Sequence, residues 1–274
     1  TTSGGGASVV AAYQINVGLN TSVLGPGWGA GTWGRFTWGS SAGALAGNTL
    51  RLWFVDNFGE DIIANIADGT IYFWDASAGT STRAVALTSL TGASDVPTVC
   101  RKILVSEADR HVLAFGANTL GSADQDPLLI RWSDQESAVD WTPTAINTAG
   151  DMRLSQGSEI ITAVRTRRET LVWTDHTLHS IQFIGPPYTF GTALLADNTK
   201  IAGPNTAMAV NDLVYWMGYQ NFFVYDGRVN VIPCSVRSYV FDDINRQQSF
   251  KFHIGSVSIH SEVWWFYCSA GSTE

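Results

Sequence analysis

The stretch that most constrains the fold is LVYWMGYQNFFVYDG, residues 213–227. Two runs of aromatic and β-branched residues, Leu213–Trp216 and Phe222–Tyr225, flank the connection Gly218-Tyr219-Gln220-Asn221. Such side chains suit a pleated strand, and a short connection with glycine suits a tight turn. The stretch therefore predicts an antiparallel hairpin that ends at the turn pair Asp226-Gly227.

The same pattern recurs along the chain. Similar paired runs occur at 50–54 with 70–75, at 112–115 with 127–134 and at 171–173 with 178–184. A single run of the same type occurs at 263–268. The second arms end near Asp75, Asp134, Gly185 and Asp226. A hairpin repeated at intervals of about 40–60 residues is typical of propeller blades. The sequence predicts an all-β fold with a β-propeller-like body of repeated antiparallel blades.

The domain organisation follows from this repeat. Residues 1–12 contain Ser3-Gly4-Gly5-Gly6 and are interpreted as a flexible lead-in, and residues 13–274 as the propeller-like domain. The last arm, which ends at Cys268, requires a partner strand. Two explanations stay open: the candidate N-terminal strand Val9–Leu19 supplies it, or the chain is truncated at its C-terminal end. We favour truncation.

Composition excludes several classes of protein. Apolar residues make up 45% and charged residues 15%, which is not the balance of a disordered chain. The net charge of −8 argues against a protein that grips nucleic acid, although passage of nucleic acid through an acidic channel is compatible with it. Cys100, Cys234 and Cys268 stand far apart without a CxxC motif, so neither a disulfide framework nor a zinc site is expected. No apolar run predicts a membrane span.

Residues 25–47 are rich in glycine and tryptophan, with Trp28, Trp33 and Trp38 each followed by glycine. We interpret this segment as a loop insertion, because glycine disfavours both helix and strand. Two roles stay open. The indoles could pack within the subunit or against another subunit, which we favour, or they could stack on sugars or bases.

The acidic and basic residues form no recognisable catalytic motif. Asp56, Asp75, Asp109 and Asp140 are candidate glycosidase carboxylates, but the sequence does not show that any two face each other. The acids Asp56, Glu60 and Asp61 around Asn57-Phe58-Gly59 are interpreted as a solvated turn, since their spacing does not fit a calcium loop. The basic cluster Arg165-Thr166-Arg167-Arg168 is interpreted as a solvated strand edge or loop.

Histidines complete the search for chemistry. His176 and His179 are three residues apart, which on a strand places them on opposite faces and does not suit a shared metal. We therefore predict no catalytic residue, no cofactor-binding residue and no metal ligand, and no enzymatic activity.

Two further segments carry structural signals. Residues 131–143 resemble the Asp-box turn of sialidase-type propeller blades, with Ser133, Asp134 and Trp141 in place and Ser137 near the position of the glycine. That turn supports a blade and is not a catalytic site. Residues 238–248 are predicted to form one short helix on a blade connection.

Four stretches, at 50–77, 128–144, 185–191 and 240–248, resemble a known family. They are similar to sequences of the tail nozzle, or hub, proteins of short-tailed (podovirus-like) bacteriophages, also called packaged-DNA stabilisation proteins. The resemblance covers most of residues 13–268.

This resemblance implies a structural protein of the virion, located in the phage tail. It implies a cyclic homo-oligomer, a hexameric ring, below the portal and adaptor, with adaptor and portal-complex proteins and tail fibres or spikes as partners. The ring would close and then line the channel for genome retention and ejection, so that genomic DNA passes without sequence-specific binding. An acidic channel wall would repel phosphate. The alternatives are a carbohydrate-binding or glycoside-hydrolysing β-propeller and a receptor-binding tail protein.

Overall fold

The computed structural model describes residues 51–106 and 109–272. The chain divides after Arg51, and all strands given below belong to the second unit, Leu52–Glu274. The predicted strand Val9–Leu19 and the Gly/Trp segment 25–47 lie outside the described residues.

Within the described residues, five antiparallel sheets follow one another, and in each the spatial order of the strands is their order in the chain. Sheet 1 contains β1 (Trp53–Phe58), β2 (Asp61–Ile66), β3 (Ile71–Trp74) and β4 (Val85–Ala86). Sheet 2 contains β5 (Lys102–Val105), β6 (Val112–Phe115), β7 (Leu129–Trp132) and β8 (Gly150–Arg153). Sheet 3 contains β9 (Ile160–Arg165), β10 (Thr170–Thr174), β11 (Thr177–Gly185) and β12 (Thr189–Asp197).

Sheet 4 contains β13 (Ala207–Val210), β14 (Leu213–Met217), β15 (Phe222–Tyr225) and β16 (Val229–Ile232), and sheet 5 contains β17 (His253–Val257) and β18 (Glu262–Phe266). Between them lie the helix α1 (Arg237–Asp243) and the 3-10 helix Arg246–Lys251. Two short 3-10 helices, Ala76–Ala78 and Leu87–Ser89, flank β4. Within the described residues no helix is long and apolar enough to cross a membrane.

Neighbouring sheets pack through their first strands. β1 lies against β5, β5 against β9, β9 against β13, and β13 against β17. An apolar cluster fills each space between two sheets, represented in chain order by Ile63 with Ile103, Leu113 with Val172, Trp173 with Trp216, and Phe222 with Trp265. Repeated four-stranded antiparallel sheets in this arrangement are propeller blades. The fold is therefore all-β with a β-propeller-like body, as the repeated hairpins predict.

The hairpin that anchors the sequence analysis is confirmed. β14 and β15 pair antiparallel, with Met217 opposite Phe222, and residues 218–221 form the turn. Val214 and Trp216 are buried while Leu213 and Tyr215 are half-buried, which is the alternation expected of a strand. Pro233 follows β16, the outermost strand of its sheet, where a missing N–H breaks no ladder.

The end of the described chain differs in part from expectation. β18 pairs along its length with β17, so the arm at 263–268 has one partner strand, which precedes it in the chain. The sequence of β17, HIGSV, contains Ile254 and Val257 but none of the Phe, Trp or Tyr residues that mark the other arms. The helix expected over 238–248 is two segments: Ile244 is extended, and the Asn245 side chain accepts a hydrogen bond from Gln247 N that starts the second segment.

A buried amide ties the first two sheets together. The side chain of Asn65, on β2, donates to the carbonyls of Cys100 (3.3 Å) and Arg101 (3.2 Å) and accepts from the N–H of Ile103 (3.1 Å). These backbone groups lie on the approach to β5 and on the edge of β5 that does not pair with β6. The amide therefore satisfies buried backbone groups that have no strand partner.

The alternating direction of the strands sorts the connections into two ends. Connections from a second to a third strand, and from a fourth strand to the next sheet, lie at one end, which we call the 2–3 end. Connections between first and second strands lie at the opposite end, which we call the 1–2 end. Long connections are not confined to one end: Asp140, on the β7–β8 connection, is bonded to Ser94, on the connection before β5.

Candidate functional site

Asp56 lies on β1, where it is bonded to sheets 2 and 3. Its Oδ2 accepts hydrogen bonds from the N–H of Val105 (2.8 Å) and from Arg165 Nη1 (3.1 Å). The expectation that Asp56 belongs to a solvated turn is wrong, because β1 continues to Phe58 and carries this carboxylate to β5. The turn itself is confined to Gly59 and Glu60.

The cluster of arginines at 165–168 forms the end of β9 and its turn to β10. The interpretation as a solvated loop holds for the exposed Arg167 and Arg168, whereas Arg165 is half-buried on β9. The N–H of Thr166 donates to the carbonyl of Glu169 at 2.9 Å and closes the turn. Arg165 is paired with Asp56, and Arg167 Nε lies 3.4 Å from Asp212 Oδ1. Two of the three arginines thus have carboxylate partners.

A buried polar network surrounds His111, which is fully buried. Its Nδ1 lies 2.8 Å from Asp109 Oδ2, and its Nε2 lies 2.9 Å from Thr148 Oγ1. Thr148 Oγ1 donates to Asp134 Oδ1 at 2.7 Å, and Ser106 Oγ donates to Asp109. Burial alone would raise the pKa of Asp134, but the hydrogen bonds from Thr148 lower it below its usual value.

This network contains Ser, Asp and His, but it does not have the geometry of a nucleophilic triad. In a triad the serine hydroxyl is hydrogen-bonded to the imidazole, which removes its proton. Here Ser106 donates to Asp109 instead, and both imidazole nitrogens of His111 are occupied. The rings of Phe183 and Phe190 lie 5.7 and 5.2 Å from the imidazole. The network joins the β5–β6 connection to the β7–β8 connection.

The remaining candidate carboxylates also make structural hydrogen bonds. Asp75 caps the 3-10 helix Ala76–Ala78, and its hydrogen bonds with Ser77 lower the pKa of its carboxyl. Asp140 Oδ1 accepts from Ser94 Oγ at 2.7 Å. The structure does bring Asp56 and Asp109 to the same end of β5. Asp56 accepts a hydrogen bond from the N–H of Val105, and Asp109 accepts one from the hydroxyl of the next residue, Ser106. One is paired with an arginine and the other with a histidine.

The two neighbouring histidines have different surroundings. His176 lies on the β10–β11 turn beside Asp175, with 3.2 Å between Nε2 and Oδ2. His179 is buried on β11, with its Nε2 2.9 Å from Thr177 Oγ1, and burial lowers its pKa. Among residues 51–106 and 109–272, no group of three or more His, Cys, Asp or Glu side chains is placed to hold a metal ion.

The segment that resembles an Asp box forms the connection between β7 and β8. Ser133 Oγ accepts from Val112 N at 2.9 Å, and Asp134 Oδ1 accepts from Thr148 N at 2.8 Å. Trp141 is buried, and its indole N–H donates to the carbonyl of Ala138 at 2.8 Å. The segment therefore folds a blade connection, as the sequence indicates.

A cleft of about 330 Å³, which we call the Tyr219 cleft, lies at the 2–3 end of sheet 4. Three connections line it: 198–206 before β13, the β14–β15 turn, and the start of the 3-10 helix Arg246–Lys251. The lining residues are Asn198, Lys200, Tyr219, Gln220, Asn221, Phe223 and Arg246. All are neutral or cationic, in a chain of net charge −8.

Two cations of this cleft approach one aromatic ring. Lys200 Nζ lies 5.9 Å and Arg246 Cζ 5.5 Å from the centroid of the Tyr219 ring. Arg246 Nη2 also donates to the carbonyl of Tyr219 at 3.1 Å, and Arg237 Nη1 donates to Asn221 Oδ1 at 3.0 Å. In the described part of the chain these three cations have no carboxylate within ion-pair distance. Lys200 and Arg246 line the cleft beside the Tyr219 ring, where a ligand could reach them.

Glycine makes the close approach of two of these connections possible. Gly218 and Ile201 form an isolated bridge between the β14–β15 turn and the connection that carries Lys200. A side chain at 218 would place its Cβ 2.6 Å from Phe223 Cε2 and 2.9 Å from the carbonyl oxygen of Lys200. Only glycine fits this position without displacing the wall of the cleft.

A second cleft of about 290 Å³ lies between the connection 87–101 and the β6–β7 connection. Its cation is Arg131, on β7, which is only 3% exposed and donates to the carbonyls of Asp95 (2.6 Å) and Asn118 (3.4 Å). Burial lowers the pKa of Arg131, and the charges of Asp151 and Asp95 oppose this effect. Its charge is therefore already partly compensated, unlike the charges of the Tyr219 cleft.

Sequence reasoning missed the Tyr219 cleft. Tyr219 was identified only as part of a hairpin turn, and Lys200 and Arg246 are far from it in the chain. Two features of the turn, Gly218 and the aromatic Tyr219, could have indicated a site at this turn. The pairing of that turn with two distant cations depends on how sheets 3, 4 and 5 are connected.

Comparisons with known proteins give likenesses of overall structure only. No protein-family model matches the chain, and no curated protein is similar to it at a significant level. Among solved structures it is similar to KlHsv2 with loop 6CD replaced by a Gly-Ser linker, with 9% identity, a TM-score of 0.36 and coverage of 64% of this chain and 48% of that one. It is also similar to the AfRom2 CNH domain, with 11% identity, a TM-score of 0.43 and coverage of 76% and 62%.

A third similar structure is the computationally designed Ika8 protein, with 9% identity, a TM-score of 0.35 and coverage of 82% of this chain and 73% of that one. The chain thus spans about half of the KlHsv2 structure and less than two thirds of the AfRom2 domain. Likenesses this distant say nothing about activity or partners. The propeller-like fold follows from the sheets of the chain itself.

Proposed function

We propose that this protein is a structural component of the virion of a short-tailed bacteriophage. It forms the tail nozzle, or hub, as a cyclic homo-oligomer below the portal and adaptor. In this role it retains the genome before infection and lines the channel during ejection. It catalyses no reaction, and its partners are further copies of itself, adaptor and portal-complex proteins, and tail fibres or spikes.

The observation that carries this proposal is where the four family-like stretches lie in the fold. Residues 50–77 include β1 to β3, and 128–144 include β7 and the turn after it. Residues 185–191 form the β11–β12 turn, and 240–248 lie on the helical connection before β17. The resemblance thus falls on strands and connections of the blades, as expected for a shared scaffold.

Exposed aromatic residues supply surfaces for ring contacts. On β1, Trp53 is 46% exposed and Val55 is 61% exposed, and on β18, Trp264 is 48% exposed and Phe266 is 46% exposed. Each pair is two residues apart, so each forms one strip on one face of its strand. A closed ring requires two different surfaces on each copy, and the strips on β1 and β18 fit that requirement.

The net charge of −8 supports passage of DNA without tight binding, but few of the acidic residues are on the first strands of the sheets. The first strands of the five sheets carry a single acid, Asp56, together with Lys102, Arg165 and His253. The acidic excess therefore comes from outside these strands. An acidic wall facing DNA would be formed by residues outside these five strands, and it would keep phosphates from adhering.

Native mass spectrometry of the full chain, with negative-stain images of the same sample, tests the proposal. We expect a sixfold particle with a central hole. The double variant W264E/F266E should shift the mass toward the monomer, because it places charge within an apolar contact. I259E is the matched control, since Ile259 is 89% exposed on the β17–β18 turn. A wild-type chain that stays monomeric at micromolar concentration would overturn the proposal.

A further inference from the structure

We propose that the Tyr219 cleft binds a sugar-sized ligand that carries one phosphate or sulfate group. The cleft is lined by Lys200, Arg246 and three side-chain amides and contains no carboxylate among its lining residues. This inference does not depend on the proposed cyclic homo-oligomer, because the residues that line the cleft all belong to one chain.

The oxyanion would be held by the two cations beside Tyr219. Arg246 Nη2 donates to the Tyr219 carbonyl, which leaves the other guanidinium N–H groups for a ligand. Lys200 and Arg246 both lie within 6 Å of the centroid of the Tyr219 ring, and both line the cleft, so an oxyanion in the cleft has two cationic side chains beside it. Hydrogen bonds between charged partners are stronger than neutral ones and favour this ligand over a neutral sugar.

The rest of the cleft fits hydroxyl groups. Asn198 and Gln220 are amides that can donate to and accept from a sugar. Asn221 is partly engaged, because its Oδ1 accepts from Arg237. Phe223 lines the cleft, and its ring stacks on the buried Trp216 with 5.1 Å between the ring centroids. The cleft therefore has one apolar wall that rests on the core of the sheet.

Size and charge argue for a small ligand and against a polynucleotide. A volume of about 330 Å³ lies at the low end of ligand pockets. A nucleic-acid strand would extend past the cleft over a protein of net charge −8, and its flanking phosphates would be repelled. A single phosphate or sulfate needs only the local cations.

Titration of glucose 6-phosphate into the full chain at low ionic strength is the first test, with inorganic phosphate, glucose and a six-nucleotide single-stranded DNA as parallel probes. We expect glucose 6-phosphate to bind more tightly than inorganic phosphate and glucose to show no binding in the same range. Binding should weaken as salt is added. The amide signals of residues 218–221 should shift in NMR spectra of the wild-type protein.

The double variant K200Q/R246Q should weaken glucose 6-phosphate binding by about tenfold or more, because both charged donors are replaced by neutral amides. R228Q is the control: Arg228 is exposed on the β15–β16 turn, at the opposite end of the same sheet. Y219F should bind within about twofold of the wild type and Y219A more weakly, since the ring orients the cations.

Three outcomes would overturn the inference: equal affinity of wild type and K200Q/R246Q, shifts that map away from 218–221, or tighter binding of the oligonucleotide than of glucose 6-phosphate. If the double variant does not fold, the wild-type shift map and K200Q alone decide. A protein that forms the sixfold oligomer but does not bind glucose 6-phosphate would overturn this inference and leave the proposed function standing. A monomer that binds glucose 6-phosphate at the cleft would do the reverse.

Discussion

Around His111, polar side chains are hydrogen-bonded to one another beneath the surface, whereas around Tyr219 two cations line a cleft that has no carboxylate among its lining residues. In the first region Asp109 and Thr148 occupy both imidazole nitrogens. In the second, Lys200 and Arg246 are oriented by one aromatic ring. Both regions contain several polar side chains, but the His111 network is buried and the Tyr219 cleft is open to solvent. A buried polar group without a protein partner costs free energy, because it has lost its hydrogen bonds to water. A polar group at the surface keeps those hydrogen bonds and remains available to a ligand.

The largest effect is expected from D109A. This change leaves His111 fully buried with one ring nitrogen unpaired and should lower the free energy of unfolding by about 2–4 kcal/mol. Urea unfolding measures the loss. D75A is the control, because Asp75 caps a short exposed 3-10 helix and should cost much less. Equal losses would show that burial does not distinguish the two carboxylates.

G203A should have the next largest effect. A Cβ at 203 would collide with the backbone carbonyl oxygen of Ser249, so the connection that carries Lys200 must shift. We expect a loss of about 1–3 kcal/mol in the free energy of unfolding. G271A is the matched control, since no atom lies within 4 Å of its added Cβ. If G203A is as stable as the wild type, the wall of the cleft is not rigid.

Lys102 is an intermediate case, a half-buried lysine that donates to Thr162 Oγ1 at 3.0 Å. Burial lowers its pKa from 10.5 to about 8, and the charge of Asp56 partly opposes this. Because the unfolded chain then binds more protons than the folded one above pH 8, stability should rise with pH toward 10. Burial and the hydrogen bond with Glu169 raise the pKa of Tyr225, which opposes this trend above pH 10.

Thermal unfolding of K102M and K200M between pH 7 and 9.5 tests this assignment. The rise in stability should be absent in K102M and retained in K200M, whose lysine lies at a surface cleft. If both variants keep the same slope as the wild type, Lys102 titrates as an exposed lysine does.

The smallest effect on stability is expected from K200Q/R246Q. Because neither cation has a carboxylate partner in the described residues, their removal should change the free energy of unfolding by only about 0.5 kcal/mol. The same urea experiment as for D109A measures it. A loss above about 2 kcal/mol would mean that these cations are structural, and the contrast with the His111 network would fail.

Several features could be predicted because they are local. The hairpin at 213–227, the turn between the runs 171–173 and 178–184, and the Asp-box-like connection follow from side-chain type and turn chemistry over a few residues. The approximate repeat of these hairpins was enough to predict propeller-like blades. Short strands without Phe, Trp or Tyr, such as β17, escaped prediction, because their pairing rather than their composition makes them strands.

The sequence by itself determined the all-β class, the hairpin turns and the excess of acidic charge. Only the tertiary structure decided that Asp56 meets Arg165, that His111 is enclosed by Asp109 and Thr148, and that Lys200 and Arg246 meet at Tyr219. The reason is distance along the chain. Turn and strand preferences act between near neighbours, whereas burial and charge pairing depend on which sheets pack together.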